Sequence, residues 1–278
     1  MTAAHEQWTE WLETNKAMWD ERVPIHAASE FYDQDAFRGG KDEIRDFEAA
    51  EVGDVTGKRL LHLQCHMGQD TLSWARRGAA KVVGLDFSEP AVEVARGLAA
   101  EVGIGPDRAQ FVVSDVYEAA SAVPDADYDI VYTGIGALDW LPDIRRWAET
   151  AASLVAPGGF LYVAEFHPFT HVLGWGEETT FEYDYFDTAP QFTDAPGTYT
   201  DFEAQTVNNR SYERLHTMGD IVSAIAAVGL RIEFLHEFDV TLFQRYAGLS
   251  RGEDGYFRAP QGRPRLPLMF SLKASRPM

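Results

Sequence analysis

Two histidines and two aspartates stand where apolar runs of the chain end, and that placement gives each of them chemistry to do. His167 follows the run GFLYVAE, residues 159–165, and His216 just precedes the apolar stretch that starts near Thr217. An imidazole titrates near ~6.5, so either ring could take a proton near neutral pH, and either could equally cap a helix or pack. Asp86 closes the run KVVGLD. A carboxylate at the carboxyl end of a strand can accept hydrogen bonds from two ribose hydroxyls. A turn or cap aspartate is the plainer reading. Asp115 follows QFVVS. There it could accept from an adenine amino group while a neighbouring N–H meets a ring nitrogen, or it could be an ordinary loop acid.

The segment LLHLQCHMGQDT, residues 60–71, joins an apolar run to a helical pattern. Such a turn lets backbone N–H groups approach an anionic or carboxylate-bearing ligand. Gly68 is its only glycine. The dinucleotide fingerprint GxGxxG is absent, which weighs against a nicotinamide or flavin site. The stretch FEYDYFD, residues 181–187, alternates aromatic and acidic side chains. It suits an exposed hairpin, or a pocket for a cationic group formed by Tyr183, Tyr185 and Phe186.

These residues need elements to hold them. Strand-like runs at 59–63, 81–85, 110–114, 128–133 and 159–165 alternate with helical patterns. Ser88 is a natural N-cap, with Pro90 in the first turn behind it. Strand–helix alternation with short links means parallel strands and crossover helices, and therefore a doubly wound sheet. Its ligand crevice lies at the carboxyl ends of the central strands. Two late strands, at 231–238 and 266–273, follow a helix at 217–228. Residues 166–216 break the rhythm with many aromatics, which points to an ordered lid. Upstream, Trp8, Trp11, Leu12, Met18 and Trp19 share one helical face. Residues 22–40 read as an irregular connection, and 41–51 as a charged helix whose acids form a solvated face.

Composition bounds the partners. The chain has 278 residues, 44 acidic against 24 basic, a formal charge of −20 and 45% hydrophobic residues. That is enough apolar content for one large α/β domain. An acidic surface repels phosphate backbones and anionic lipid, so neither nucleic acid nor a membrane is expected as the main partner. No stretch reaches the roughly 20 apolar residues of a membrane span, and the acidic N-terminus lacks signal-peptide character. The single cysteine, Cys65, makes no internal disulfide and no thiolate zinc site, and no metal is expected. A cytoplasmic location is the simplest expectation.

Taken in order, LLHLQCHMGQDT, VVGLDFSEPAVEVAR, FVVSDVYEA, YDIVYTGIGALDWLPD and LVAPGGFLYVAEFHP resemble the successive motifs of the class I S-adenosylmethionine-dependent methyltransferases. The resemblance covers residues 56–165. It implies an α/β fold with a mostly parallel seven-stranded sheet of order 3-2-1-4-5-7-6, the last strand antiparallel, helices on both faces and an aromatic-rich cap insertion. Residues 1–50 would be an N-terminal helical cap and 51–278 the domain, with the insertion at about 166–216. S-adenosylmethionine would be the cofactor and S-adenosylhomocysteine its product. Gln64, His66 and Gly68 would line the methionine part, Asp86 would hold the ribose with Phe87 against the adenine, and Asp115 and Val116 would read the adenine edge. Thr133 and Gly134 would face the methionine part and the substrate. The first motif departs from the family's three alternating glycines, with Gln64 and His66 at the first two places. Trp19 and Arg22 could close over the cofactor, Arg22 meeting its carboxylate, with His26 beside the substrate.

The resemblance implies methyl transfer by direct displacement to a small molecule, with the attacking atom open. A nucleotide-dependent oxidoreductase and a non-catalytic S-adenosylmethionine-binding protein are the rival readings. The missing GxGxxG and the late strand LPLMFSLK speak against the first, and the cap insertion against the second. Aromatics of the insertion could also serve a homodimer.

Overall fold

The computed structural model describes residues 3–174 and 180–278, so residues 175–179 of the insertion lie outside the described residues. The chain opens with α1 (Ala3–Ala27), α2 (Gln34–Arg38) and α3 (Asp46–Val52). Then strands and helices alternate: β1 (Arg59–Leu63), α4 (Gln69–Arg76), β2 (Lys81–Asp86), α5 (Glu89–Glu101), β3 (Ala109–Val113), α6 (Ala119–Ala122), β4 (Tyr128–Thr133), α7 (Ile144–Leu154) and β5 (Val155–Phe166). The insertion holds the hairpin β6 (Gln191–Asp194) and β7 (Arg210–Glu213). After α8 (Met218–Ala227) come β8 (Arg231–Phe238), the short strands β9 (Val240–Thr241), β10 (Ser250–Arg251) and β11 (Phe257–Arg258), and finally β12 (Met269–Ser275).

The main sheet has seven strands in the order β3-β2-β1-β4-β5-β12-β8. β12 runs antiparallel to both neighbours, and the pairs from β3 to β5 are parallel. This is the expected order, with β12 the seventh strand and β8 the sixth. Alternate residues of each strand feed opposite cores, because successive side chains point to opposite faces. Leu61, Leu63, Val83, Leu85 and Val131 pack with α7 and α8 on one side. Leu60, Val82, Ile130 and Tyr132 pack with α3, α4 and α5 on the other. Each large apolar side chain so buried contributes about 1.5–3 kcal/mol. Ser88 caps α5 by accepting the Ala91 N–H, and Asp143 caps α7 by accepting from Arg145 and Arg146.

Three local expectations change. The connection at 22–40 is largely helical, since α1 runs through Pro24 to Ala27 and α2 follows. The acids near 41–51 are not all solvated. Glu48 is fully buried, accepting from Arg45 and from the Tyr132 hydroxyl at 2.6 Å. A charged group survives there because it is paired on both oxygens. Residues 182–190 form no strand, and only Phe181 bridges back to Leu173. The linker between the late strands carries a three-stranded sheet of order β10-β11-β9.

Candidate cofactor site and its cap

The loop between β1 and α4 sets the floor of the site. Gln64, His66 and Gly68 have φ of 60°, 48° and 76°. Left-handed backbone therefore recurs at every second residue, although two of the three carry a Cβ. Each non-glycine in this region costs on the order of 1–3 kcal/mol, so its neighbours must hold it. The His66 N–H donates to Asp86 Oδ2 at 2.8 Å, and Gln64 Nε2 donates to the Ala137 carbonyl at 2.8 Å. Gly68 is required twice over, because a Cβ there would also stand 2.6 Å from the Phe111 ring and 2.7 Å from Ala95.

Asp86 ends β2 against this loop. One carboxylate oxygen meets the His66 N–H, and the other accepts from Ser88 N at 3.0 Å. Burial pushes its carboxyl up to about 6, against the pull of those N–H groups. Phe87 follows it, half-buried. Asp115 lies two residues beyond β3, where it caps the 3-10 turn Val116–Glu118 by accepting from Tyr117 N at 3.1 Å, with Val116 buried beside it.

The far wall is built from β4 and β5. Thr133 is the last residue of β4 and lies in register with Leu63. The loop that follows Gly134 is held by Glu165, whose oxygens accept the N–H groups of Gly136, Ala137 and Leu138 at 2.5, 2.7 and 3.0 Å. Burial, then the nearby Asp139 charge, raises Glu165 to about 7. Glu165 was not singled out in the sequence, although a lone acid ending an apolar strand before a histidine was visible there. Among the described residues, Thr133 Oγ1, Gln64 Oε1 and His62 Nε2 are buried with no hydrogen-bond partner. They surround the joint of β1 and β4, where a bound polar group would complete them.

The cap closes over the loop. Trp19 of α1 packs against His66, His26 and Trp140, at centroid distances of 5.5, 5.7 and 5.1 Å. His26 Nδ1 lies 3.1 Å from His66 Nε2, and its Nε2 lies 2.6 Å from Thr198 Oγ1 of the insertion. Burial lowers both rings, His26 to about 4 and His66 to about 3, so both are neutral. Tyr199 packs tilted against His26 at 4.6 Å and shares a hydroxyl contact with Tyr32. Arg22 points to main-chain carbonyls, donating to Met18 at 3.1 Å, Asn208 at 2.8 Å and Ala195 at 3.4 Å. It thus ties α1 to the insertion. Its guanidinium is therefore already engaged by main-chain carbonyls.

Each of the two candidate bases is engaged in fold contacts. His167 caps the 3-10 turn at 168–172, accepting from Phe169 N at 3.0 Å, while its Nε2 lies 2.9 Å from Glu237. His216 donates to the Leu141 carbonyl at 2.8 Å and is buried. Burial lowers both rings. Of the aromatic stretch, Phe186 is 79% exposed and Tyr183 half-exposed, while Tyr185 accepts the Met218 N–H at 2.9 Å. None of the three joins the His26–His66 contacts.

A sheet of this order, with an acid ending its second strand beside a left-handed loop, defines a class. A family model described as a methyltransferase domain matches residues 60–159. The ubiquinone biosynthesis O-methyltransferase of Aeromonas salmonicida is 35% identical over 119 residues, covering 43% of this chain and 48% of that protein. The chain thus spans about half the length of the curated relatives it matches. An S-adenosylmethionine-dependent methyltransferase from Mesorhizobium loti shares the fold with a TM-score of 0.57 and 24% identity, over 82% of this chain and 94% of that one. A structure titled putative S-adenosylmethionine-dependent methyltransferase from Listeria monocytogenes does so with a TM-score of 0.59 and 16% identity, over 83% and 98%. Residues 60–159 are thus similar to a methyltransferase domain, and the chain has the fold of these solved S-adenosylmethionine-dependent methyltransferases.

Proposed function

We propose that this protein transfers a methyl group from S-adenosylmethionine to a small-molecule acceptor by direct displacement. One observation carries the reading: Asp86 ends β2 directly against the left-handed turn at Gln64, His66 and Gly68. The donor set fits the cofactor. Asp86 has lone pairs left for two ribose hydroxyls, and Phe87, Asp115 and Val116 border the adenine position. Gln64 Oε1 and Thr133 Oγ1 are acceptors without donors among the described residues, suited to an ammonium group beside Gly134. The cofactor supplies a methyl group activated by a sulfonium leaving group. The chain's own task is alignment and exclusion of water, for which Trp19, His26, Trp140 and Tyr199 form the cover. The matched relatives' name, an O-methyltransferase, supports an oxygen as the attacking atom.

Calorimetric titration with S-adenosylhomocysteine tests the reading. Wild type should bind saturably. Asp86→Ala should weaken binding by at least about tenfold, since a hydrogen bond to a charged group is worth about 1.5–3 kcal/mol. A folded wild-type sample that does not bind would overturn the proposal.

A further inference from the structure

Beyond β4 and β5 the chain assembles a second polar group around Asp139, whose carboxylate also acts on His216. Asp139 Oδ2 lies 2.9 Å from His171 Nε2, with the two side chains 23% and 27% exposed. Asp139 sits in the 3-10 turn Leu138–Trp140, whose approach is held by Glu165. His171 sits in the 3-10 turn Pro168–Val172, which His167 caps. Glu213 on β7 and Arg245 in the loop after β9 face the pair. Four separate segments therefore converge on one partly open imidazole.

The pair adjoins the cofactor side of the molecule. Trp140, the residue after Asp139, packs on Trp19 over His66. Ala137, two residues before it, receives Gln64. His167 and His216 are committed to structural partners, whereas the His171 Nδ1 has no hydrogen-bond partner among the described residues.

We infer that His171 is the proton acceptor for a hydroxyl-bearing methyl acceptor, with Asp139 as its positioning residue. This rests on the proposed methyl transfer. The acceptor oxygen bonds to the methyl carbon as the carbon–sulfur bond breaks, and that bond's electron pair stays on sulfur. The hydroxyl proton passes to His171, whose imidazolium is held by Asp139 until the proton leaves to solvent. Burial disfavours the charged ring, but the Asp139 carboxylate outweighs it and raises His171 above its ordinary value. Arg245 works against that rise and Glu213 with it.

The test uses catechol and the more acidic para-nitrophenol as acceptors, with S-adenosylhomocysteine calorimetry alongside. His171→Gln should lower catechol turnover on the order of 100-fold, the usual worth of a positioned base, with binding of S-adenosylhomocysteine unchanged. The loss should shrink with para-nitrophenol, which ionises without help. Asp139→Asn should move the acidic limb of the pH–rate profile to lower pH. In the free protein, the same change should lower the His171 titration seen by NMR. Equal losses with both acceptors would mark His171 as structural and overturn the inference. So would a wild type that binds S-adenosylhomocysteine but methylates neither phenol, leaving methyl transfer itself standing. Absence of that binding would bring down both.

Discussion

Gln64 and His66 show how a position that favours glycine can hold a larger side chain when its neighbours compensate. Both adopt left-handed backbone, His66 fixed by a hydrogen bond to Asp86 at the end of β2 and Gln64 by one to Ala137 in the loop after β4. Gly68 has no such latitude, because its Cβ would enter the Phe111 ring and Ala95. Gly68→Ala should therefore cost at least about 2 kcal/mol, combining overpacking with left-handed strain. Chemical denaturation measures this directly. An unchanged midpoint would mean that the Phe111 ring yields freely.

Helix α1 owes its place to the insertion as much as to the sheet. It packs along β7 and α5. Asn15 is buried and pairs with both backbone groups of Tyr212, each at 2.8 Å. Glu21 accepts the N–H groups of Val207 and Asn208 at 2.8 and 2.6 Å. The helix and the hairpin thus form one cover. Asn15→Ala would strand two backbone groups and loosen the cover by about 1–3 kcal/mol. Hydrogen exchange should quicken in α1 and β7 while β1, β2 and β4 stay protected. Faster exchange across the main sheet would show instead that the cover supports the whole domain.

Buried ionisable groups give the molecule a pH-dependent stability with a definite sign. Burial raises Asp70 to about 7, Glu165 to about 7 and Asp86 to about 6. A raised carboxyl favours the fold when protonated, so its contribution is lost as pH rises through the folded value. Burial also lowers His26 to about 4 and His62 and His66 to about 3. Those rings oppose folding once the unfolded chain can protonate them, as pH falls below about 6.5. From about pH 8 down to about 6.5 only the carboxyls act, and stability should rise. Below that the two sets oppose each other. Thermal unfolding across pH should place the maximum Tm near about pH 6–6.5, and a Tm that climbs steadily to pH ~8 would contradict these shifts. Binding of S-adenosylhomocysteine should tighten from about pH 5 to about pH 7.5, as Asp86 ionises and becomes a pure acceptor.

The alternation of strands and helices and the position of Asp86 at the end of β2 were legible in the linear chain, because apolar runs mark buried parallel strands and Ser88 marks a helix start. The strand order was implied by the resemblance of the motifs to a known family. The left-handed turn at Gln64 and His66 was not legible, because their side chains argue against it and only Asp86 and Ala137, distant in sequence, hold them there. Glu48 reads as a surface acid until Tyr132 and Arg45 are folded against it. The same holds for the histidines. His167 and His216 read as bases or as capping and packing residues, and only the fold shows Glu237 and Leu141 engaging them. His171 drew no attention, and it became a base candidate only when Asp139, from another loop, came within 2.9 Å. Periodicity and capping act within a few residues, so sequence can express them. Burial, partnering and proton affinity arise between segments far apart in the chain, and only the folded arrangement decides them.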